Sequence, residues 1–366
     1  MKKPRLLRRK KHHANKIGMP PGSLVYVGDA ATKNLDKPKV SKIIYDANGL
    51  EECELTIDAL ASLKLDSTKK IWLNVHGVHD AALIKQIGEL FHLHPLVLED
   101  ILNTEQRPKI DEFDDYIFLE TRLFYYHAET MSTSSEQISL VLGHNFLLTF
   151  QERSTGAFEP IRERLRATRA PIRELGVDYL AYALLDSVVD RYFSVLEEVG
   201  EASEVLEEAL LKAPANSELH SIHQLKHSSI ELRRAVWPLR EVINSLIRNE
   251  KGFFKPATLP YLRDVYDHTV NFIESLESIR DTLSGMMDIY MASVSQRVNL
   301  ELRALTVVAM LFMPATLIAG IFGMNFRHMP WTDHYNGFWY AVAIMAGIAL
   351  VMILIFWRRQ WLSSKS

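Results

Sequence analysis

The chain has 366 residues, a net charge of −3 and a mean hydropathy of −0.04. These averages leave room for one or two soluble domains, and they hide two long apolar segments near the C-terminus. Cys53 is the only cysteine, which excludes an internal disulfide and a cysteine-based metal site and favours a reducing compartment.

The N-terminus is strongly basic: MKKPRLLRRKKHH carries seven Lys or Arg and no acid. Residues 14–28 lack the apolar segment of a secretory signal, so the sequence predicts a disordered basic arm attracted to anionic lipid. Nucleic-acid binding is the alternative. No interleaved aromatic residues or groove-reading helix accompany the arm, and we therefore expect no nucleic-acid partner.

The first third of the chain alternates strand-like and helix-like segments. Residues 80–91 have helical spacing behind Asp80, a good N-cap, and Gly143-His144-Asn145 has the composition of a hairpin turn. The segments predict an α/β or α+β domain that ends near Glu152. The predicted strands, rich in β-branched and aromatic residues, are 24–28, 40–46, 70–77, 116–127 and 138–150.

Two kinds of site are disfavoured in this region. No Gly is followed by Lys anywhere in the chain, so a phosphate-binding loop is absent and ATP-driven pumping by this polypeptide is disfavoured. Four histidines could suggest a metal site, but no matching cysteine or tight carboxylate set accompanies them, and the sequence favours structural roles. They are His76, His79, His92 and His94.

Beyond Phe158 the pattern is helical. The sequence predicts a helix over residues 177–213 with an acidic polar face, and a second over 217–249 with a basic bias, interrupted and bent at Pro238. We interpret the pair as an antiparallel hairpin whose opposite charges are solvated surface pairs.

A third helix is predicted from Tyr261 to Gly323, roughly 95 Å in length. Its apolar stripe continues into a membrane span, and we expect such a stalk to need partners of its own kind, in a symmetric bundle, to bury that stripe. The stripe comprises Ile273, Leu276, Leu283, Met287, Tyr290, Val294 and Val298.

Two C-terminal segments are predicted to cross a membrane. Ala304 to Asn325 contains 22 residues without an ionisable side chain, enough at about 1.5 Å per residue to cross a core of roughly 30 Å. Phe338 to Trp357 is a second uncharged run. Basic residues precede the first span and follow the second, which predicts that both termini are cytoplasmic.

One face of the first span lacks charge but includes small, flexible and uncharged polar groups. It could be a packing seam between helices, or it could line a path for a cation. Pro314 favours the path, because it frees the carbonyl of Met310. Mg²⁺ suits such a path best, since it keeps its hydration water. The face comprises Asn299, Leu302, Leu305, Ala309, Met313, Thr316, Gly320 and Asn325.

The first span ends on Gly323-Met324-Asn325, and this motif, the second span and the basic tail resemble the CorA family of divalent-cation channels. The likeness covers nearly the whole chain, with matching segments at 20–26, 94–102, 263–268 and 361–362. It implies a funnel-shaped homopentamer in the plasma (inner) membrane, with an α/β cytoplasmic domain and a long helical stalk continuous with the first of two C-terminal transmembrane helices. Mg²⁺ would be transported, with Co²⁺ and Ni²⁺ as further ions, and no organic cofactor or enzymatic activity is expected.

The resemblance also assigns residues to roles. Asn325 would form the selectivity ring, supported by Gly323 and Met324, while Asn299 and Thr316 would be polar rings. Leu302, Leu305 and Met313 would be apolar constrictions.

Four acids would bind regulatory Mg²⁺. Asp100 and Asp264 would meet between subunits, and Glu99 and Asp186 would form a second position nearby. Bound Mg²⁺ would then close the channel by neutralising acids that otherwise repel each other.

One feature departs from the family pattern, and two alternatives stay open. Many relatives carry acids just after the GMN motif, whereas Arg327 stands here and Asp333 is the only acid of the loop, which loosens the choice among Mg²⁺, Co²⁺, Ni²⁺ and Zn²⁺. A ZntB-like Zn²⁺ or Co²⁺ transporter is the first alternative. A membrane-anchored enzyme or scaffold is the second, although no nucleophile–base arrangement supports it.

The predicted organisation has eight parts. They are a basic arm (1–19), the cytoplasmic α/β domain (20–157), the helical hairpin region (158–259), the stalk helix (260–303), transmembrane helix 1 (304–325), an external loop (326–337), transmembrane helix 2 (338–357) and a basic cytoplasmic tail (358–366).

Overall fold

A computed structural model describes residues 18–28, 37–60, 69–167, 171–212, 215–248, 250–324 and 335–359. The chain divides into two compact units. The first comprises Met1–Ala209 and Asn216–Gly285, and the second comprises Leu210–Ala215 and Met286–Ser366.

The first unit is built on a seven-stranded mixed sheet in the order β2-β1-β3-β7-β6-β5-β4. The central pair, β3 and β7, is parallel, with Trp72 opposite Leu147, and all other neighbours are antiparallel. The strands are β1 (Lys39–Tyr45), β2 (Leu50–Leu55), β3 (Lys70–His76), β4 (Lys109–Glu112), β5 (Tyr116–His127), β6 (Ser132–Gly143) and β7 (Phe146–Gln151).

Nine helices accompany these strands in the described part of the chain. They are α1 (Ile57–Leu60), α2 (Ala81–Leu90), α3 (Pro95–Ile101), α4 (Glu159–Arg166), α5 (Pro171–Glu174), α6 (Val177–Lys212), α7 (Asn216–Ile247), α8 (Leu259–Phe322) and α9 (Gly337–Arg358).

Helices α2 and α3 cover one face of the sheet. Asp80 caps α2 as the sequence predicts, because its carboxylate accepts hydrogen bonds from the backbone N–H groups of Ala82 and Leu83 at 3.0 and 3.1 Å. The apolar face of α2 is buried with the sheet, and Ile87 joins Val75 in one core cluster. Helix α3 joins the same core cluster through its buried residues, and this burial fixes the position of Asp100, which lies on α3.

Helices α4 and α6 cover the opposite face. Phe158, at the start of α4, packs edge-on against Trp72 with 6.4 Å between ring centroids. Tyr192 of α6 lies between Phe124 of β5, at 5.6 Å, and Phe272 of α8, at 5.7 Å. The sheet is therefore the middle layer of an α/β unit, and α6 separates it from α8, which confirms the predicted α/β class.

The strand predictions are confirmed in most of the sheet and wrong in one place. The strand over Tyr116–His127 has the predicted ends, and the predicted hairpin turn joins β6 and β7. Residues 24–28 are not a strand: Val27 forms only an isolated parallel bridge with Asn103. The edge strands β2 and β4 were not predicted, because their polar composition lacks an apolar run.

Helix α7 continues through Pro238. The residues on both sides of Pro238 belong to one helix, as predicted, and the bend at Pro238 stays a prediction. A basic residue of α7 also pairs with a different helix from the one expected: Arg233 lies 3.8 Å from Glu277 of α8. Both side chains are nearly half exposed, so this is a solvated surface pair.

The predicted stalk is confirmed as a helix, and α8 continues from Leu259 to Phe322. Its apolar stripe is buried within the first unit of the chain itself, since Ile273, Leu276 and Leu283 are at most 7% exposed. The expectation that this part of the stripe needs partner chains is therefore wrong. Apart from Tyr261 near its first turn, the exposed large apolar side chains of α8 begin further along the helix, at Met291.

Candidate cation path and cation-binding residues

Two helices of the described residues, α8 and α9, are long and apolar enough to cross a membrane. The end of α8 contains an 18-residue apolar window of which no residue is buried, and only 6% of the corresponding window of α9 is buried. Apolar side chains this exposed are unfavourable in water and suit a lipid environment. The spans predicted from the sequence coincide with these two helices.

Each of the two helices has one partly covered face. In α9, Ala341 and Phe356 are 7% and 4% exposed. The covered positions recur at three- and four-residue steps, so they lie on one face of each helix. On α8 the partly covered residues include Arg303, Val307, Leu311, Pro314, Ile318 and Phe322.

The residues predicted to line a pore are exposed without exception among those that the structure describes. Met313, for example, is 68% exposed. At about 100° per residue, the exposed set lies on the opposite side of the helix from the partly covered set. The set comprises Asn299, Leu302, Leu305, Ala309, Met313, Thr316 and Gly320.

An open groove of about 760 Å³ runs along this exposed side of α8. Five of the predicted residues line it, together with three apolar neighbours. A span face free of charge and open on one chain needs either lipid or further protein against it. The lining comprises Ala309, Phe312, Met313, Thr316, Leu317, Gly320, Ile321 and Met324.

Thr316 is the one hydroxyl in this groove. Its Oγ1 donates a 2.9 Å hydrogen bond to the carbonyl oxygen of Phe312, one turn earlier. Because the hydroxyl proton is donated to the backbone, the lone pairs of the Thr316 oxygen remain to accept a hydrogen bond or to face a cation.

The GMN motif begins where α8 ends. The N–H of Gly323 donates to the carbonyl of Ala319 at 2.9 Å, and Met324 donates to Ile321 at 3.2 Å, which completes the last turn. Met324 is 53% exposed. Asn325, the predicted selectivity residue, lies outside the described residues, as do Arg327 and Asp333.

Asp100 lies at the end of α3 and is held within its own chain. Its Oδ2 is 2.5 Å from the Lys109 ammonium on β4, and its Oδ1 accepts a hydrogen bond from Gln106. The neighbouring Glu99 accepts a 2.5 Å hydrogen bond from the N–H of Gly22, whose φ of 83° suits glycine. Both acids are thus fixed at the edge of the first unit.

Asp264 belongs to a different group, on α8. It is 66% exposed and lies 3.9 Å from the Nε2 of His268, one turn later. The structure does not pair Asp264 with Asp100 in one chain, since Asp100 is paired with Lys109.

Asp186 forms a potential metal site with two residues that the sequence did not single out as ligands. Ligand atoms of Asp186, Asp190 and His268 all lie within 4.8 Å of one another. Burial raises the pKa of Asp186, and the Asp190 carboxylate raises it further. The ring of His268 also packs edge-on against Phe193 of α6, which holds it beside the two acids.

The sequence could have indicated the two acids of this group but not the histidine. Asp186 and Asp190 are four residues apart and must share a face of α6, but His268 comes 78 positions after Asp190 and joins them only through the packing of α6 on α8. Two carboxylates and an imidazole are suitable ligands for a divalent cation.

Two of the four early histidines have structural roles, as predicted. His94 caps α3 by accepting from the N–H of Leu96 at 3.2 Å, and His76 lies 3.0 Å from the side-chain nitrogen of Asn74. Burial lowers the pKa of His76, which favours its neutral form.

The fold defines a class: a membrane protein with a large α/β unit that precedes two C-terminal spanning helices. The model of the family described as "CorA-like Mg2+ transporter protein" matches residues 67–359. The chain belongs to this family.

Named relatives agree with this assignment. The cobalt/magnesium transport protein CorA of Thermotoga maritima is 41% identical over 95% of this chain and 98% of its own length. The protein of the same name from Methanocaldococcus jannaschii is 24% identical, over 83% of this chain and 95% of its own length. The complete structure of the Methanocaldococcus jannaschii CorA magnesium transporter has a TM-score of 0.75, at 22% identity over 87% of this chain and 98% of that one, and it shares the fold.

Proposed function

We propose that this chain forms a homopentameric channel in the plasma (inner) membrane, with both termini in the cytoplasm, and that hydrated Mg²⁺ enters through it. Co²⁺ and Ni²⁺ would be further permeant ions. One observation carries the proposal: the uncharged exposed face of α8 lies opposite the face that is partly covered in the chain. Five such faces turned towards one axis would enclose a path, and the names of the relatives support Mg²⁺ and Co²⁺ as cargo.

The chemistry of this face suits an ion that keeps its water. Between Ala304 and Met324 no side chain can hold a proton or a charge, so a proton-relay mechanism lacks its residues there. Mg²⁺ loses water reluctantly, and amide, hydroxyl and carbonyl dipoles can contact its hydration shell. A doubly charged ion gains about 4.6 kcal/mol per 100 mV on entering a negative-inside cell, so the membrane potential suffices as the driving force.

In this proposal Asn325 forms the selectivity ring at the external end, supported by Gly323 and Met324. Thr316 and Asn299 are polar rings, and Leu302, Leu305 and Met313 form apolar constrictions, with Ala309 and Gly320 between them as small residues. Residues 326–337 are the external loop. The exposure of each described member of this set is what supports the arrangement.

Intracellular Mg²⁺ closes the channel in this proposal. Asp100 of one subunit and Asp264 of its neighbour share one ion, and the exposure of Asp264 leaves it free to face another subunit. Glu99 and Asp186 contribute to a second ion position, to which the geometry adds Asp190 and His268. Loss of these ions at low Mg²⁺ leaves like charges facing each other, which favours opening.

Reconstitution tests the transport proposal. The full chain is placed in liposomes that contain a Mg²⁺-sensitive dye, and the potential is set with a K⁺ gradient and valinomycin. We expect Mg²⁺ entry at an inside-negative potential and much slower entry at zero potential. Equal rates in proteoliposomes and protein-free liposomes would contradict the proposal.

A further inference from the structure

The contact between Asp100 and Lys109 is unusual for a residue proposed to bind Mg²⁺. Both oxygens of the Asp100 carboxylate are engaged inside the chain, Oδ2 by the Lys109 ammonium at 2.5 Å and Oδ1 by the Gln106 amide. The pair is shielded from solvent, with side-chain exposures of 31% for Lys109 and 17% for Asp100. An ion pair this short and this covered is stronger than a surface pair.

The fold keeps the Lys109 ammonium in this place. Lys109 lies on β4, in register with Glu120 of β5, so its backbone position is fixed by the sheet. Its Nζ lies 5.7 Å from the ring centroid of Phe118, a favourable position for a cation. Burial lowers the pKa of Lys109, but the hydrogen bond to Asp100 and the nearby carboxylates more than offset this and raise it overall, so the side chain stays charged at physiological pH.

The ammonium has another carboxylate to which it can move. Asp111 Oδ2 lies 3.4 Å from the same Nζ, and the Asp111 side chain is 46% exposed. A cation that took the Asp100 carboxylate would therefore leave Lys109 with a charged acid within reach, at the solvent-exposed side of the pair, and the chain would not have to bury an unpaired charge.

We propose that Lys109 is a tethered counter-ion for Asp100, which a divalent cation must displace, and that it thereby sets the cytoplasmic Mg²⁺ concentration at which the channel closes. This inference rests on the proposed role of Asp100 in closure. While Lys109 holds Asp100, the ammonium neutralises the carboxylate. The binding free energy of Mg²⁺ is then only the difference between its own attraction to the carboxylate and the attraction of the ammonium that it displaces. The competitor raises the Mg²⁺ concentration needed for closure.

Lys109→Met tests this in the full chain in liposomes. Closure is followed over a Mg²⁺ titration by protection of the α/β unit from protease and by Mg²⁺ flux. In Lys109→Met we expect the Mg²⁺ concentration at half-closure, the midpoint, to fall about tenfold. The charge-assisted hydrogen bond that Mg²⁺ must otherwise break is absent from this variant. Lys109→Arg retains a cation at this position and should keep the midpoint near the parental value.

Two further variants make the outcome decisive. Lys42→Met removes a different partly buried lysine, which pairs with Glu51 at 3.1 Å. Lys42 lies on β1, near the opposite edge of the sheet from β4, so this variant should leave the midpoint unchanged. Asp100→Asn removes the proposed ligand. If Asp100→Asn shifts the midpoint and Lys109→Met does not, the tethered counter-ion is wrong while the gate stands. If Asp100→Asn has no effect, both the gate at Asp100 and this inference fail.

Lys109→Met could also disturb the sheet. Size-exclusion behaviour and circular dichroism identify that case, and Lys109→Gln, which keeps a polar side chain on β4, then replaces it. A midpoint for Lys109→Gln equal to the parental one overturns the inference in the same way.

Discussion

The Thr316 hydroxyl donates a 2.9 Å hydrogen bond to the Phe312 carbonyl, in the middle of the exposed face of α8. This bond orients the hydroxyl oxygen with its lone pairs away from the helix. We expect Thr316→Val, which keeps the shape of the side chain, to slow Mg²⁺ entry about fivefold, because one neutral hydrogen bond contributes about 1 kcal/mol. Initial rates of dye-reported entry in liposomes measure this.

Thr282→Val is the matched control. Its hydroxyl makes the equivalent bond to the Ser278 carbonyl at 3.1 Å, but Thr282 lies in the part of α8 that belongs to the first unit, outside the predicted span. Its rate should stay near the parental one. Equal slowing by both variants would show an effect on the helix and not on the path.

The group formed by Asp186, Asp190 and His268 predicts a metal preference. Imidazole suits Co²⁺ and Ni²⁺ better than Mg²⁺, which prefers oxygen ligands. We expect His268→Ala to weaken Co²⁺ binding by about tenfold or more and Mg²⁺ binding less, as measured by calorimetry on the detergent-solubilised chain. His220→Ala, at an exposed position of α7, is the control. Equal losses for the two ions would remove His268 from the ligand set.

Asp264→Lys should separate the ligand role of Asp264 from its charge. The substitution removes a ligand but places an ammonium where it can pair with Asp100 of a neighbouring subunit. We expect protection from protease without added Mg²⁺, because this pair replaces the ion. Mg²⁺-dependent protection identical to that of the parent chain would exclude Asp264 from the sensor.

Glu120 predicts how stability depends on pH. Burial raises its pKa from 4.5 to about 9, so the folded chain keeps a proton that the unfolded chain releases. The stability contributed by the neutral carboxyl is complete below pH 4.5 and is lost as the pH rises to about 9. We expect Glu120→Gln to be more stable at pH 8 by several kcal/mol, since each pH unit above 4.5 costs the parent chain about 1.4 kcal/mol, and about unchanged at pH 4.5.

Gln is the suitable replacement because it can still accept the 3.2 Å hydrogen bond that the Gln137 amide donates to Glu120. Thermal unfolding in detergent at several pH values measures the effect, with Glu129→Gln, an exposed position, as control. A pH profile of Glu120→Gln parallel to that of the parent chain would contradict the prediction.

Much of the fold follows from local patterns in the sequence. The strand Tyr116–His127 is a continuous run of β-formers, and both spans are long uncharged segments, so their ends could be placed within a few residues. Strand β2 could not be predicted, since Leu50–Leu55 is half acidic and becomes a strand only by pairing with β1. Residues 24–28 have strand composition, yet only Val27 forms a bridge.

The candidate site was predictable where it lies on one helix. The exposed face of α8 follows from helical spacing alone, whereas the contact of Lys109 with Asp100 depends on where β4 places the lysine. His268 likewise meets Asp186 and Asp190 only because α6 packs on α8. Such meetings depend on tertiary packing, and no local pattern encodes them.

The rate of Mg²⁺ entry through Asn325→Ala, compared with the parent chain in liposomes at an inside-negative potential, tests the central claim most directly. We expect loss of Mg²⁺ entry or loss of preference for Mg²⁺ over Na⁺ in the variant, because the proposed ring of amide oxygens around the hydrated ion is removed. An unchanged rate and an unchanged preference would contradict the claim that Mg²⁺ passes along the face of α8 that ends at this residue.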